Sequence, residues 1–222
     1  LYVKSILNSD VVIATSSLVK EDVKKLGYEG KIFIVNPGIS KEFLTTPIKR
    51  ERKSIVKLGY IGRLDSERKN VIRGVRVFKK LRENNARFEL WGSYDPNSEI
   101  FKEIKKEVEE DPRIKIMGPA PDDKLIEIYD SFDALFFPTK EEGFGLPIVE
   151  AQARGVPVIV FKDARIPQEV CELCLKIDDE LPSLDDILSF GEKYGEKLRE
   201  KASKFSLENF IKEMVTTYNN IM

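Results

Sequence analysis

The sequence predicts an α/β fold in which a parallel β-sheet carries helices on both faces. Short apolar runs alternate with amphipathic segments along the chain, the pattern of repeated β-α units. The amphipathic segments repeat their apolar residues at helical spacing: Val71, Gly74, Val75, Phe78 and Leu81 share one stripe, and Ile100, Ile104 and Val108 another. With 41% hydrophobic residues among 222, the chain has material for a large core.

In chain order the expected strands are Val11 to Ala14, Ile32 to Val35, Val56 to Ile61, Arg87 to Trp91, Ile114 to Met117, Ala134 to Phe137, Val158 to Phe161 and Leu173 to Ile177. Between them, Asn70 to Arg82, Ile100 to Val108 and Leu125 to Tyr129 read as helices, and another starts near Leu146. Two helices close the chain, Ser183 to Lys204 and Ser206 to Asn220, each opened by a serine suited to N-capping. The charged run Lys49-Arg-Glu-Arg-Lys53 reads as a solvated connector before the Val56 strand.

Lysine and arginine number 37 against 38 aspartates and glutamates, so a net charge of −1 supplies no global field for nucleic acid or an anionic membrane. Dense charge, no histidine and only Gln152 and Gln168 as glutamines resemble the composition of heat-adapted proteins. The longest apolar runs, Val156 to Phe161 and Ala134 to Pro138, are far too short to span a bilayer, and no secretory signal precedes them. The expected location is cytoplasmic. Cys171 and Cys174 form Cys-x-x-Cys, but with no second pair and no histidine a zinc site would need carboxylates or another chain. They read as two small, semi-buried thiols in a reducing compartment, and no metal is expected.

The most informative stretch runs Glu142-Gly-Phe-Gly-Leu-Pro-Ile-Val-Glu150, between the apolar run ending at Pro138 and Ala151 to Gly155. A buried strand, a glycine-rich loop and a helix N-terminus in succession present backbone N–H groups to an anion. Gly143 and Gly145 let that backbone come close. Glu142 on the loop and Glu150 one turn into the helix would both point to the strand's carboxyl end, where open α/β sheets bind ligands. Two acceptor carboxylates beside a phosphate site suggest sugar hydroxyls. The plain alternative is a solvent-facing loop acid at 142 and a helix acid at 150 paired with Arg154 at i+4. Earlier in the chain, Gly59-Tyr-Ile-Gly-Arg-Leu-Asp-Ser-Glu-Arg-Lys-Asn70 places Gly62, Arg63 and Lys69 between a strand and a helix, a spacing able to bring two cations to a diphosphate. Arg68 adjoins Lys69 and is a second cation able to reach it.

These residues resemble the retaining nucleotide-sugar transferases of glycosyltransferase family 4, or glycosyl transferases group 1. That family carries Glu-x7-Glu in a Glu-Gly-Phe-Gly-Leu-Pro context, intact here through Gly155-Val-Pro-Val-Ile159, and a Gly-Arg…Lys-Gly signature matched by Gly62, Arg63 and Lys69. The family's glycine after the lysine is Asn70 here, which could cap the helix instead. Trp91-Gly-Ser93 stands where the family has Gly-x-Gly, and Ala164-Arg165 replaces a common Gly-Gly.

The resemblance implies the donor half of a GT-B fold, a Rossmann-like parallel sheet, with a residual β-α piece of the N-terminal domain. Residues 1–30 would be the tail of an incomplete acceptor domain, 31–205 the nucleotide-sugar donor-binding domain and 206–222 a C-terminal crossing helix. It implies transfer of a hexose from a nucleoside diphosphate sugar with retention, and no cofactor. Arg63 and Lys69 would neutralise the diphosphate, Glu142 and the backbone of Gly143, Phe144 and Gly145 would hold the sugar, Leu146 would offer its N–H to a phosphate, and Glu150 would accept from the ribose. The loop Gly118-Pro-Ala-Pro121 would meet the base, its plain alternative being an ordinary strand-to-helix turn.

The acceptor domain, with any membrane association, would belong to a first half absent from this chain, leaving a chain that binds donor but transfers poorly or not at all. Exposed Phe210, Met214 and Tyr218 on the last helix would then drive homo-oligomerisation or packing on another chain. The rival readings are a stand-alone nucleotide-sugar-binding module that never catalyses, and a fragment of a GT-B-like epimerase or phosphorylase.

Overall fold

The structure is a computed structural model that describes residues 2–48 and 54–222; the run Lys49 to Lys53 lies outside them. Helix α1 (Tyr2–Leu7) leads into β1 (Val11–Ala14), α2 (Ser17–Lys25), β2 (Lys31–Ile34) and α3 (Lys41–Thr45). Strands β1 and β2 pair in parallel as a small sheet of their own, Val12 opposite Ile32. The larger sheet takes β3 (Val56–Ile61), β4 (Ala86–Trp91), β5 (Ile114–Gly118), β6 (Ala134–Phe136), β7 (Val158–Phe161) and β8 (Leu175–Ile177), all parallel. Helices α4 (Val71–Lys79), α5 (Glu99–Glu109), α6 (Leu125–Asp130), α7 (Leu146–Ala153), α8 (Gln168–Cys171), α9 (Leu184–Ser203) and α10 (Leu207–Ile221) complete the chain.

The strand order of the larger sheet is β5-β4-β3-β6-β7-β8, so the winding direction reverses between β3 and β6, where Leu58 stands opposite Ala134. At such a reversal the loops leaving the two strands diverge to opposite faces and open a crevice above the sheet. The core lies beneath it. Every residue of β6 and β7 is buried, as expected for a parallel sheet covered on both faces. Rings from successive elements form a continuous ladder: Phe78 to Phe88 at 5.2 Å, Phe88 to Phe136 at 5.6 Å and Phe136 to Phe161 at 5.8 Å.

The expected elements are present with small shifts at their ends. Helix α4 stops at Lys79 because the last turn tightens, with Lys80 N bonded to Val77 O and Leu81 N to Phe78 O. Strand β8 starts at Leu175, since Cys171 to Cys174 turn off α8 through a bond from Cys174 N to Cys171 O at 3.1 Å. Ser183 and Ser206 cap their helices, accepting from Asp186 N and Asn209 N.

Two expectations need correction. Asn70 forms no side-chain cap: it sits in the left-handed region at φ 53°, which a glycine would occupy without cost and asparagine tolerates. Phe210 and Met214 are half-buried rather than exposed, with Phe210 facing a cleft lined by Lys197 and Lys201 of α9 and by Lys204 just after it. The exposed apolar stripe of α10 is instead Leu207, Ile211, Val215 and Tyr218. Among the described residues no helix is long and apolar enough to cross a membrane.

Candidate active site

Three loops close over the carboxyl ends of β3, β4 and β5 through backbone bonds. Gly62 N donates to Trp91 O at 3.0 Å, Gly92 N to Gly118 O at 2.8 Å and Leu64 N to Ser93 O at 3.0 Å. A Cβ on Gly92 would lie 1.7 Å from the Gly62 carbonyl oxygen, so only glycine lets these loops meet. Ser93 contributes its carbonyl to this stitching.

On the β3 side of the reversal, a 3₁₀ turn over Glu67–Lys69 precedes α4. It is tied to the loop after β6 by Lys140 N to Arg68 O at 2.8 Å and by the Lys140–Glu67 ion pair at 2.8 Å. Arg68 is exposed, whereas Lys69 turns inward: its Nζ lies 2.7 Å from Glu142 Oε1 and 5.0 Å from the Phe137 ring centroid. The two side chains are only 13% and 7% exposed, so this is a nearly dry ion pair. Thr139 Oγ1, fully buried, lies 2.8 Å from the same Glu142 oxygen. Burial and the charge of Glu142 raise the phenol of Tyr60, which donates to the Arg63 carbonyl at 3.0 Å.

Arg63 takes a different position. Its guanidinium is bidentate to Asp65, at 2.6 and 3.1 Å, and 63% of the side chain is exposed. Asp65 also accepts from Asp95 N, and Arg63 above all holds its carboxyl below the ordinary range. Lys69 and Glu142 are thus brought together, while Arg63 stands on the same loop as an exposed cation anchored by Asp65.

On the β6 side, Glu142 N donates to Arg165 O and Arg165 N to Lys140 O, which lays the Ala164-Arg165 loop along the loop that carries Glu142. The chain then reaches Gly145 at φ 100°, a left-handed conformation that starts α7, with Pro147 in its first turn. Among the described residues, the amides of Gly143, Phe144, Gly145 and Leu146 meet no acceptor. They form a row of donors at a helix N-terminus. Phe144 turns its ring into the core, edge-on to Phe205 at 5.3 Å, so only its backbone could meet a ligand there. Ser16, the N-cap of α2, donates to Gly143 O at 2.6 Å, and Ser17 donates twice to Glu169, each at 2.7 Å. Asp22 pairs with Arg165. The small first sheet is therefore docked onto the site's loops by polar contacts.

Glu150 is held by Tyr129, whose O–H donates to Oε2 at 2.6 Å. Burial pushes the carboxyl upward, and the Tyr129 bond opposes that rise. Arg154, one turn on and fully buried, is bidentate to Asp130 at 2.8 Å and donates to the carbonyls of Phe43, Thr46 and Pro47. The guanidinium thereby ties α7 to the segment after α3. Cys171 is buried and Cys174 half-buried, both free, and burial raises both thiols.

Two partners escape the sequence reading: Thr139 beside Glu142, and Tyr129 beside Glu150. Thr139 lies three residues before its carboxylate, a separation short enough to show in the local sequence. Tyr129 is 21 residues from Glu150 on another helix, and only tertiary packing pairs them.

A family model described as Glycosyl transferases group 1 matches residues 56–183. The D-inositol 3-phosphate glycosyltransferase of Corynebacterium urealyticum is 23% identical over 244 residues, covering 96% of this chain and 57% of that protein. The O-antigen chain mannosyltransferase B of Escherichia coli is 32% identical over 114 residues, covering 47% of this chain and 30% of that protein. The chain thus spans little more than half the length of the first of these relatives. Among solved structures, sucrose-phosphate synthase from Thermosynechococcus elongatus superposes with a TM-score of 0.81 at 20% identity, over 99% of this chain and 60% of that one. Anabaena Alr3699/HepE, in complex with UDP and glucose, gives 0.80 at 17% identity, over 98% and 66%. These likenesses identify the fold as the α/β arrangement of GT-B glycosyltransferases. With the family match spanning β3 to the start of α9 and enclosing Lys69, Glu142 and Glu150, the chain belongs to the glycosyl transferases of group 1.

Proposed function

We propose that this chain forms the donor face of a retaining hexosyltransferase that takes a nucleoside diphosphate sugar. The diphosphate lies against the free amides of Gly145 and Leu146, with Lys69 and Arg63 supplying positive charge. The sugar rests on Glu142 and the backbone of Gly143, Phe144 and Gly145. Glu150 accepts from the ribose hydroxyls and the Gly118 loop meets the base. In transfer, the bond between the anomeric carbon and the phosphate oxygen breaks, and the acceptor oxygen bonds to the same face of that carbon. The acceptor's proton passes to the departing phosphate. Two cations and a helix N-terminus aimed at the leaving group stabilise the charge that develops there, without calling on a metal.

In this reading residues 1–30 are the edge of an acceptor domain, 31–205 hold the donor and the helix over 206–222 crosses back toward the acceptor side. Acceptor recognition lies in that other domain, so these residues alone bind donor with little transfer. The observation that carries the proposal is the nearly dry Lys69–Glu142 pair, set at the strand-order reversal where open α/β sheets take ligands. The Anabaena neighbour, whose fold this chain shares, is a complex with UDP and glucose, which supports a nucleotide-sugar ligand.

The test is calorimetric titration with UDP, GDP, ADP and their glucose and mannose conjugates, alongside Lys69→Ala and Glu150→Ala. Binding of one nucleotide series, weakened in both variants, is the expected result. Binding that neither variant alters would remove the assignment.

A further inference from the structure

Tyr129 is fully buried on α6, its ring set edge-on to Phe43 at 5.8 Å and to Phe132 at 6.3 Å. Its side-chain hydroxyl donates to Glu150 Oε2 at 2.6 Å. A buried phenol needs a partner, and a carboxylate offers lone pairs on two oxygens. Here Oε2 is engaged, while Oε1 takes no hydrogen bond among the described residues. Burial, with the charge of Glu150 second, holds the phenol far above its ordinary range, so Tyr129 keeps its proton and acts as donor.

Two ring contacts fix the phenol, and the phenol fixes the plane of the carboxyl group. One oxygen is tied down and the other is left to accept from outside. Groups that act through the residue touching a ligand set its orientation in this way.

We propose that Tyr129 is a positioning residue which, by engaging Oε2, aims Oε1 of Glu150 at the ribose hydroxyls and so sets the preference for a ribonucleotide over its deoxy counterpart. This rests on the ribose role given to Glu150 above. Tyr129 touches no part of the nucleotide; without its bond the carboxyl group rotates and accepts poorly from the ribose.

The test measures calorimetric affinity for UDP, GDP and ADP, each against its 2′,3′-dideoxy counterpart, in the parent protein, Tyr129→Phe, Glu150→Gln and the double variant. Tyr129→Phe keeps the ring and its packing, and a melting curve for each variant confirms folding. For the nucleotide that binds, the parent prefers the ribose form. In Tyr129→Phe that preference falls about tenfold while dideoxynucleotide affinity stays within about twofold, and the double variant matches Glu150→Gln. A preference unchanged in Tyr129→Phe, or an equal loss for ribose and dideoxy forms, overturns the positioning role alone. A parent that binds nucleotide with no ribose preference removes the role of Glu150, and the proposal with it.

Discussion

Lys69 and Glu142 meet at 2.7 Å across 73 residues of sequence, and both are nearly buried. The ammonium is already balanced by a carboxylate, so under the proposed reading a diphosphate arriving at Lys69 would compete with Glu142 and be repelled by it. Glu142→Gln should therefore tighten UDP binding about two- to tenfold, as the competing charge disappears. The same change should abolish the extra affinity that the sugar adds in a UDP-sugar conjugate. Titration of both ligands checks the two halves together, and weaker UDP binding in the variant would contradict the competition.

The two cations differ in what their loss costs the fold. Lys69→Ala strands Glu142 as a nearly buried charge with Thr139 for company, whereas Arg63→Ala removes an exposed side chain from Asp65. Each should weaken diphosphate binding, Lys69→Ala by about 1.5 to 3 kcal/mol, the value of a charge-assisted bond. Lys69→Ala alone should also lower stability, by about 1 to 3 kcal/mol. Denaturant unfolding of both variants, read beside titration with UDP, separates the effects. Equal destabilisation would mean that Arg63 is built into the fold as Lys69 is.

Glu150 should trade stability for binding. Its carboxyl is raised by burial, so the native state holds a proton more tightly than the unfolded chain. Stability contributed by this group is present below the ordinary glutamate range and declines as pH rises through the raised value. Glu150→Gln should then raise the melting temperature at neutral pH by about 2 to 4 °C, the effect of about 1 kcal/mol in a chain of this length, and less at pH 4. Nucleotide affinity should fall in the same variant. A melting temperature that drops at neutral pH would show that the carboxylate stabilises the fold.

The sequence exposes what is local. Apolar runs located β1, β3 and β7 to the residue, and Ser183 and Ser206 announced their helices, because periodicity and caps are written within a few neighbours. That the eight strands among the described residues divide into two sheets, and that the order reverses between β3 and β6, is a matter of pairing between distant segments. The site follows the same division. Glu142, Glu150 and Lys69 were legible as motif residues, yet the pairing of Lys69 with Glu142 and of Tyr129 with Glu150 depends on how α4, α6 and α7 pack. The Asp65 anchor of Arg63 lies only two residues away, yet an acid beside an arginine in a chain that is 34% charged carries little information.

Asn70 links backbone conformation to the position of Lys69. It holds φ 53° and ψ 33° between the turn that carries Lys69 and the first residue of α4, and its side chain does not cap the helix. A residue with a Cβ in this region costs roughly 1 to 2 kcal/mol, which asparagine partly avoids and glycine avoids altogether. Asn70→Gly should leave stability within about 0.5 kcal/mol, while Asn70→Val, branched at Cβ, should cost about 1 to 2 kcal/mol or more. Relieving that strain would rotate the turn and carry Lys69 away from a diphosphate seated as proposed above, so UDP affinity should fall in the valine variant and hold in the glycine one. Unfolding and titration of the two variants decide the matter: if valine is tolerated as well as glycine, the left-handed turn is not what holds Lys69 in place.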